Sequence, residues 1–320
     1  MTQGLLSFKY EMDKKDTGMT ALGGLPIYLD LASAMGMGDS IERHLHIKQQ
    51  GWTDRQTLLS LIMMNLAGGD CVDDLRKLEG DTGFCEVLRR LEQRWMKRRE
   101  RREADRRWRK DRSRTVPSAS SVFRYLSAFH DADQEKKRVE GKAFIPVPNE
   151  HLRGLVRVNA DMVGFLQSHH VQKVATLDQD ATLVETWKRD ALFSYKGIKA
   201  YQPLNTWWAE QGLVLHTEFR DGNVPAGYEQ LRVFQEALAL LPESVEKVRL
   251  RSDTAGYQHE LLRYCAKGDN KRFGRIEFAI GSDVTPGFKN AVMEVAESDW
   301  QPIYREFGGF RLKTNHAENS

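Results

Sequence analysis

The chain has 320 residues, 40% hydrophobic and 29% charged, with 48 Lys and Arg against 45 Asp and Glu and a formal net charge of +3. That length suits two domains, or one catalytic domain with a helical extension. Cys71, Cys85 and Cys265 are scattered without CxxC spacing, which excludes a zinc ribbon or a disulfide framework and suits a reducing compartment. No stretch approaches the ~20 apolar residues of a membrane span, and residues 1–15 lack the apolar core of a secretory signal. The expectation is a cytoplasmic protein with no membrane partner.

Residues 1–20 are polar and read as an arm. Ile27, Leu29, Leu31, Met35 and Ile41 predict a helix, a break at Gly36–Gly38 and a second helix. Thr53 is a good N-cap for a helix over 54–66, closed by Gly68-Gly69. Further helices follow over 72–78 and 84–94. The 54–78 pair reads first as core; a helix–turn–helix touching DNA is the alternative. Residues 89–114 then hold fourteen Lys and Arg against five Asp and Glu, with Trp95 and Trp108 interleaved. A solvated helix with Glu–Arg pairs is the bland reading. So dense a run repels itself unless a polyanion offsets it, which points to phosphate contacts from Arg98, Arg99, Arg101, Arg102, Arg106, Arg107, Arg109 and Lys110. Such contacts position a protein on DNA rather than read its sequence. Ser118–Leu126 reads as a capped helix with Phe123 and Leu126 inward and Arg124 outward. A polar helix is expected to about Arg138, and a linker at Ile145–Asn149. That places an all-α region at 1–145 and a second domain at 146–320.

The second domain begins with a helix over 150–168. The run Lys173–Thr182 is an apolar strand that ends in Asp178 and Asp180. Residues two apart on a strand project from one face. A basic and aromatic loop follows (Glu185–Tyr201), then strands at Leu204–Ala209 and Leu213–Phe219 separated by the turn Glu210-Gln211-Gly212. A helix over 228–241 leads to a fourth strand from Val245, ending at Asp253, and a helix over 258–265. The order β-β-β-α-β-α, with acids ending the first and fourth strands, is that of a ribonuclease-H-like nuclease core. The expected class is therefore α/β: a ribonuclease-H-like mixed sheet behind an all-α, DNA-binding region.

The chain resembles DDE transposases of bacterial insertion sequences, most closely the IS1380 family. The resemblance rests on Thr20–Pro26, Asn65–Asp70, Pro117–Ser121 with Arg124, Leu177–Thr182, Tyr195–Gly197, Tyr201–Leu204, Phe219–Asn223 and Arg251–Asp253. It implies three metal-binding carboxylates, Asp, Asp and Glu. By its Asp-x-Thr pattern the first is Asp180, with Asp178 as the alternative or as a supporting partner. The second is Asp253, whose bland reading is a helix cap. It implies Mg²⁺, with Mn²⁺ as a substitute, since hard ions take carboxylate oxygens and keep waters. Two ions roughly 3.5–4 Å apart can activate a water or a DNA 3′-hydroxyl and stabilise the leaving oxygen. Double-stranded DNA, as terminal inverted repeats and target, is the implied partner. A homodimer on paired ends and a place on the bacterial nucleoid go with it. Lys188, Arg189, Tyr195, Lys196 and Lys199 would line the DNA track, or form an ordinary exposed loop.

The third acid has no match. Glu294, Glu297, Glu306 and Glu318 are present, but none stands in the family's context. The expectation is a chain truncated or frameshifted before its Glu, or a fragment, one that binds DNA and cleaves it poorly or not at all. Two competing readings remain: a DNA-binding inhibitor of transposition without catalysis, and a nuclease or resolvase for branched DNA.

Overall fold

The computed structural model describes residues 19–94, 98–99, 101–103, 114–307 and 310–318. The first helices are α1 (Leu25–Ala34), α2 (Met37–His44), α3 (Asp54–Leu66), α4 (Leu75–Gly80), α5 (Thr82–Gln93), α6 (Ala119–Leu126) and α7 (Glu150–His169). Among the described residues no strand precedes Val174. Thr53 caps α3 as expected: its hydroxyl accepts the Gln56 N–H, and the Gln56 side chain accepts the Thr53 N–H in return. Leu29, Met63, Leu75, Leu78, Phe84, Val116 and Val122 pack into one buried cluster, so the 54–78 pair is core. Glu79 accepts the backbone N–H groups of Thr115 and Val116 at 2.9 and 2.8 Å, which ties the chain beyond the basic segment back onto α4.

Two expectations are corrected here. On α6 the inward residues are Val122 and Tyr125, both fully buried, while Phe123 and Leu126 are exposed. Residues 130–138 hold only a single helical turn, Ala132–Glu135.

Helix α7 packs in two directions. Gly154 lies so close to α2 that a Cβ there would come within 2.5 Å of the His44 carbonyl oxygen. Val158 joins Ile41 and Leu45 in one small core, while Val163 enters the core of the sheet. Asn159 donates to the Leu215 carbonyl at 3.0 Å.

The strands are β1 (Val174–Ala181), β2 (Val184–Glu185), β3 (Ala200–Tyr201), β4 (Leu204–Trp208), β5 (Leu213–Glu218), β6 (Lys247–Ser252) and β7 (Glu277–Ile280). A mixed five-stranded sheet has the order β5-β4-β1-β6-β7. β4 runs antiparallel to β1 and β5 to β4, whereas β6 runs parallel to β1 and β7 to β6. Helices α8 (Gln230–Ala239) and α9 (His259–Lys267) follow β5 and β6. Ala175, Leu177, Trp208, Val248 and Leu250 of the sheet pack with Phe234, Ala237, Leu261 and Cys265 of these helices. Burying each of the larger of these side chains contributes roughly 1.5–3 kcal/mol. α10 (Pro286–Glu294) and the hairpin β8 (Gln301–Phe307)–β9 (Phe310–Glu318) complete the chain. β7, the β2–β3 ribbon, α10 and this hairpin are additions to the expected elements.

Candidate functional site

The site grows from the pairing of β1 with β6. Leu177 faces Leu250, Asp178 faces Arg251, and Gln179 faces Ser252 in parallel register. One step further along each chain stand Asp180 and Asp253. Paired residues on neighbouring strands share a face, so Ala175, Leu177 and Gln179 turn to the helices. Asp178 and Asp180 turn to the opposite side, toward the row of Arg249 and Arg251. Both Asp180 and Asp253 are exposed at the C-terminal edge of the sheet.

The two aspartates of β1 have different surroundings. Asp178 is half-buried and forms a two-pronged ion pair with Arg251, through Nε and, at 2.6 Å, Nη2. Its carboxylate holds the Arg251 guanidinium more firmly protonated than usual. Asp180 lies beside Asn205 of β4. Asp253 closes a 3₁₀ turn, Thr254–Gly256, by accepting the Ala255 N–H at 3.0 Å. It is therefore a cap, as the bland reading has it, and it stands one residue past Ser252 as Asp180 stands one residue past Gln179.

The platform beneath is hydrogen-bonded. Ser252 Oγ donates to the Gln179 carbonyl at 2.8 Å, and Gly281 N–H donates to the Ser252 carbonyl at 3.2 Å. Gly256 lies against the Ser252 side chain, and Gly281 against Thr254, where a Cβ would come within 3.2 Å of the Thr254 nitrogen. Thr176 is held through its N–H and hydroxyl by Glu210, at 2.7 and 2.5 Å. Burial pushes the Glu210 carboxyl up, but these hydrogen bonds outweigh it and the pKa falls below the usual value.

On the helix face a polar layer lies under β4, β5 and α8. Arg220 is buried and donates to Glu218 at 2.8 Å, Glu218 accepts from Arg232 at 2.6 Å, and His216 meets Glu236 at 3.1 Å. The His216 contact, opposed by burial and aided by Arg232, holds the Glu236 carboxyl below its usual range.

The loop 186–199 projects from the β2–β3 ribbon. Lys188 and Lys196 are exposed on it. Lys199 instead donates to the Arg189 carbonyl at 2.6 Å and stays half-buried. Gly222 underpins the loop: a Cβ there would stand 2.5 Å from the Ala200 carbonyl and 2.8 Å from that of Leu192. Asp221 pairs with Arg138 at 2.8 Å. Arg98, Arg99, Arg101 and Arg102 are exposed on helical backbone, with Glu103 3.5 Å from Arg99, and Arg124 is exposed on α6. Arg106, Arg107, Arg109 and Lys110 lie outside the described residues.

Sequence reasoning missed Arg251 and Glu210. The signal for Arg251 was present: sliding Leu177–Asp180 onto Leu250–Asp253 puts Asp178 against Arg251 and Asp180 against Asp253. Among the described residues no group of three or more His, Cys, Asp or Glu is placed to hold a metal ion. No helix among them is long and apolar enough to cross a membrane.

No curated protein matches the chain, and no solved structure does. A family described as transposase DDE domain group 1 matches residues 8–315, nearly the whole chain. The two strand-end aspartates and the mixed sheet thus stand in a chain that belongs to the transposase DDE domain group 1 family.

Proposed function

We propose that the chain is the DNA-cleaving and strand-transferring protein of an IS1380-type insertion sequence, with a ribonuclease-H-like core over 146–320. The observation that carries this reading is the neighbourhood of Asp180 and Asp253, one step past the last paired residues of two parallel strands. Their donor set is hard carboxylate oxygen at an exposed edge, which fits Mg²⁺ or Mn²⁺. A Mg²⁺ ion held by two carboxylates keeps positions for water and for a substrate phosphate, so this pair is matched to a DNA-dependent metal site. Asp180 and Asp253 would hold such an ion, which would supply activation of the attacking oxygen and stabilisation of the leaving one.

The residues do the rest. Asp178 acts as a positioning residue: with Arg251 it locks the strand ends in register. Asp253, by capping its own turn, fixes the backbone that presents it. Arg98, Arg99, Arg101, Arg102, Arg124, Lys188 and Lys196 bring duplex phosphate to the site, the terminal repeats and target of a paired-end homodimer on the nucleoid. Such contacts position rather than specify.

A second reading, a DNA-binding protein without catalysis, is favoured by one observation: no third metal-ligating side chain joins the pair among the described residues. One experiment separates the two. Nicking of a duplex carrying the element end is measured with Mg²⁺ or Mn²⁺ for the wild type, Asp180→Ala and Asp253→Ala. Slow nicking that either substitution reduces to background, with duplex binding kept, supports the first reading. Binding without nicking in all three supports the second. Nicking that survives both substitutions removes the aspartate pair from the chemistry.

A further inference from the structure

Three large aromatic side chains stand out of the loop 186–199: Trp187, Phe193 and Tyr195 are 93%, 62% and 76% exposed. Single exposed apolar residues are ordinary. Three within nine residues, on a loop that is hydrogen-bonded to itself, are not. The loop is folded by its own bonds: Thr186 N–H to the Lys199 carbonyl at 3.0 Å, Ser194 N–H to Ile198 at 2.8 Å, and Ala200 N–H to Leu192 at 3.1 Å. Ala191, Ser194 and Ala200 are buried inside it. The aromatic rings are therefore held out by a stiff finger. Cations accompany them. Lys196 lies 5.8 Å from the Tyr195 ring centre and Lys199 5.9 Å from that of Phe193, while Lys188 follows Trp187 in the chain.

A duplex offers phosphates and groove edges to such a finger, but it hides the faces of its bases. Exposed rings beside cations match the faces of unpaired bases on a backbone of phosphates. The finger is also near the aspartate pair. With at most about 3.3 Å of rise per residue, Trp187 stands within roughly 23 Å of Asp180, less than one duplex turn of ~34 Å.

We propose that the 186–199 finger binds unpaired nucleotides of a DNA strand next to the strand-end aspartates, with Trp187 and Tyr195 stacking on the bases. This rests on the nucleic-acid reading of the site above. It adds a subsite for frayed or single-stranded DNA at the place of cutting.

The test is equilibrium binding without divalent metal, so that cleavage plays no part. Two labelled probes are used, a blunt duplex and the same duplex with a short single-stranded thymine extension. The wild type is compared with Trp187→Ala, Tyr195→Ala and Trp187→Phe, each checked for an unchanged thermal midpoint. The expected result is tighter wild-type binding to the extended probe. Each alanine variant should lose roughly 5- to 150-fold on that probe; Trp187→Ala should keep its affinity for the blunt duplex, and Tyr195→Ala should lose clearly less there than on the extended probe. Trp187→Phe should retain most of the affinity. Alanine variants that bind both probes like the wild type overturn the finger and leave the nuclease reading standing. Equal losses on both probes also overturn it, since they mark a duplex contact. A wild type that binds neither probe overturns the DNA reading itself, and the finger with it.

Discussion

Asp178 and Asp180 stand two residues apart on one strand, and their neighbours give them different work. Asp178 is tied through both carboxylate oxygens to Arg251, while Asp180 is exposed beside the Asp253 turn. A carboxylate engaged in a two-pronged Arg pair has few lone pairs left for a metal. The two substitutions should therefore differ in degree. Asp178→Asn is expected to slow metal-dependent nicking by about 10- to 100-fold, the usual cost of losing a partner that orients the ligands. Asp180→Asn is expected to abolish it. Single-turnover nicking rates at saturating DNA check this, and abolition by Asp178→Asn with survival in Asp180→Asn would exchange the two roles.

At the scale of elements, the polar layer between β5 and α8 is the part most exposed to damage. Arg220 is buried, and Glu218 faces both it and Arg232. Removing one partner of a buried pair leaves an uncompensated charge, at a cost of about 3–5 kcal/mol. Glu218→Ala should accordingly lower the urea midpoint by a large margin, and a shift corresponding to less than about 1 kcal/mol would mean that water already shares the Arg220 charge. Some elements were legible from sequence because one local signal settled each of them. The Thr53–Gln56 box began α3, and the apolar runs ending in Asp marked β1 and β6. Others were not. On α6 the adjacent pairs Val122-Phe123 and Tyr125-Leu126 offer two apolar faces about 100° apart. The choice between them is made by neighbours distant in sequence, where Val122 joins Phe84 and Val116. β7 is four residues long and only Ile280 among them is not exposed, so its alternation is too short to read. The aspartate pair itself was legible residue by residue, but its pairing was not. Parallel register depends on a partner strand some seventy residues away, so it shows only when the two Leu-x-x-Asp runs are laid side by side, and neither run alone carries it.

Over the whole molecule, net charge says little and its distribution says more. The chain is nearly balanced at +3, yet fourteen of its Lys and Arg fall within residues 89–114. If Arg98, Arg99 and Arg102 meet phosphate, replacing all three with Gln should flatten the plot of log affinity against log salt by about 0.9 per lost contact. An unchanged slope would remove these arginines from the interface. Acid stability is a second global property. The carboxyls of Glu210 and Glu236 lie below their usual 4.5 in the folded chain. Their stabilisation is thus complete above the unfolded value and is lost as pH falls through the folded ones. Thermal midpoints should be level above about pH 5 and fall below about pH 4.5, and a midpoint that stays level on acidification would contradict these contacts. The parallel register of β1 and β6 has one more consequence, for how such a chain can change over generations. Residues 182–246 connect the two strands through β2 to β5, their turns and α8, and codons gained or lost at the surface turns leave the β1–β6 register unchanged. One codon gained or lost inside Lys247–Ser252 turns Asp253 to the other face of the sheet. The gene thus tolerates length drift at the turns of this span and almost none within the paired strands, so a silenced copy can differ from an active one by a single triplet.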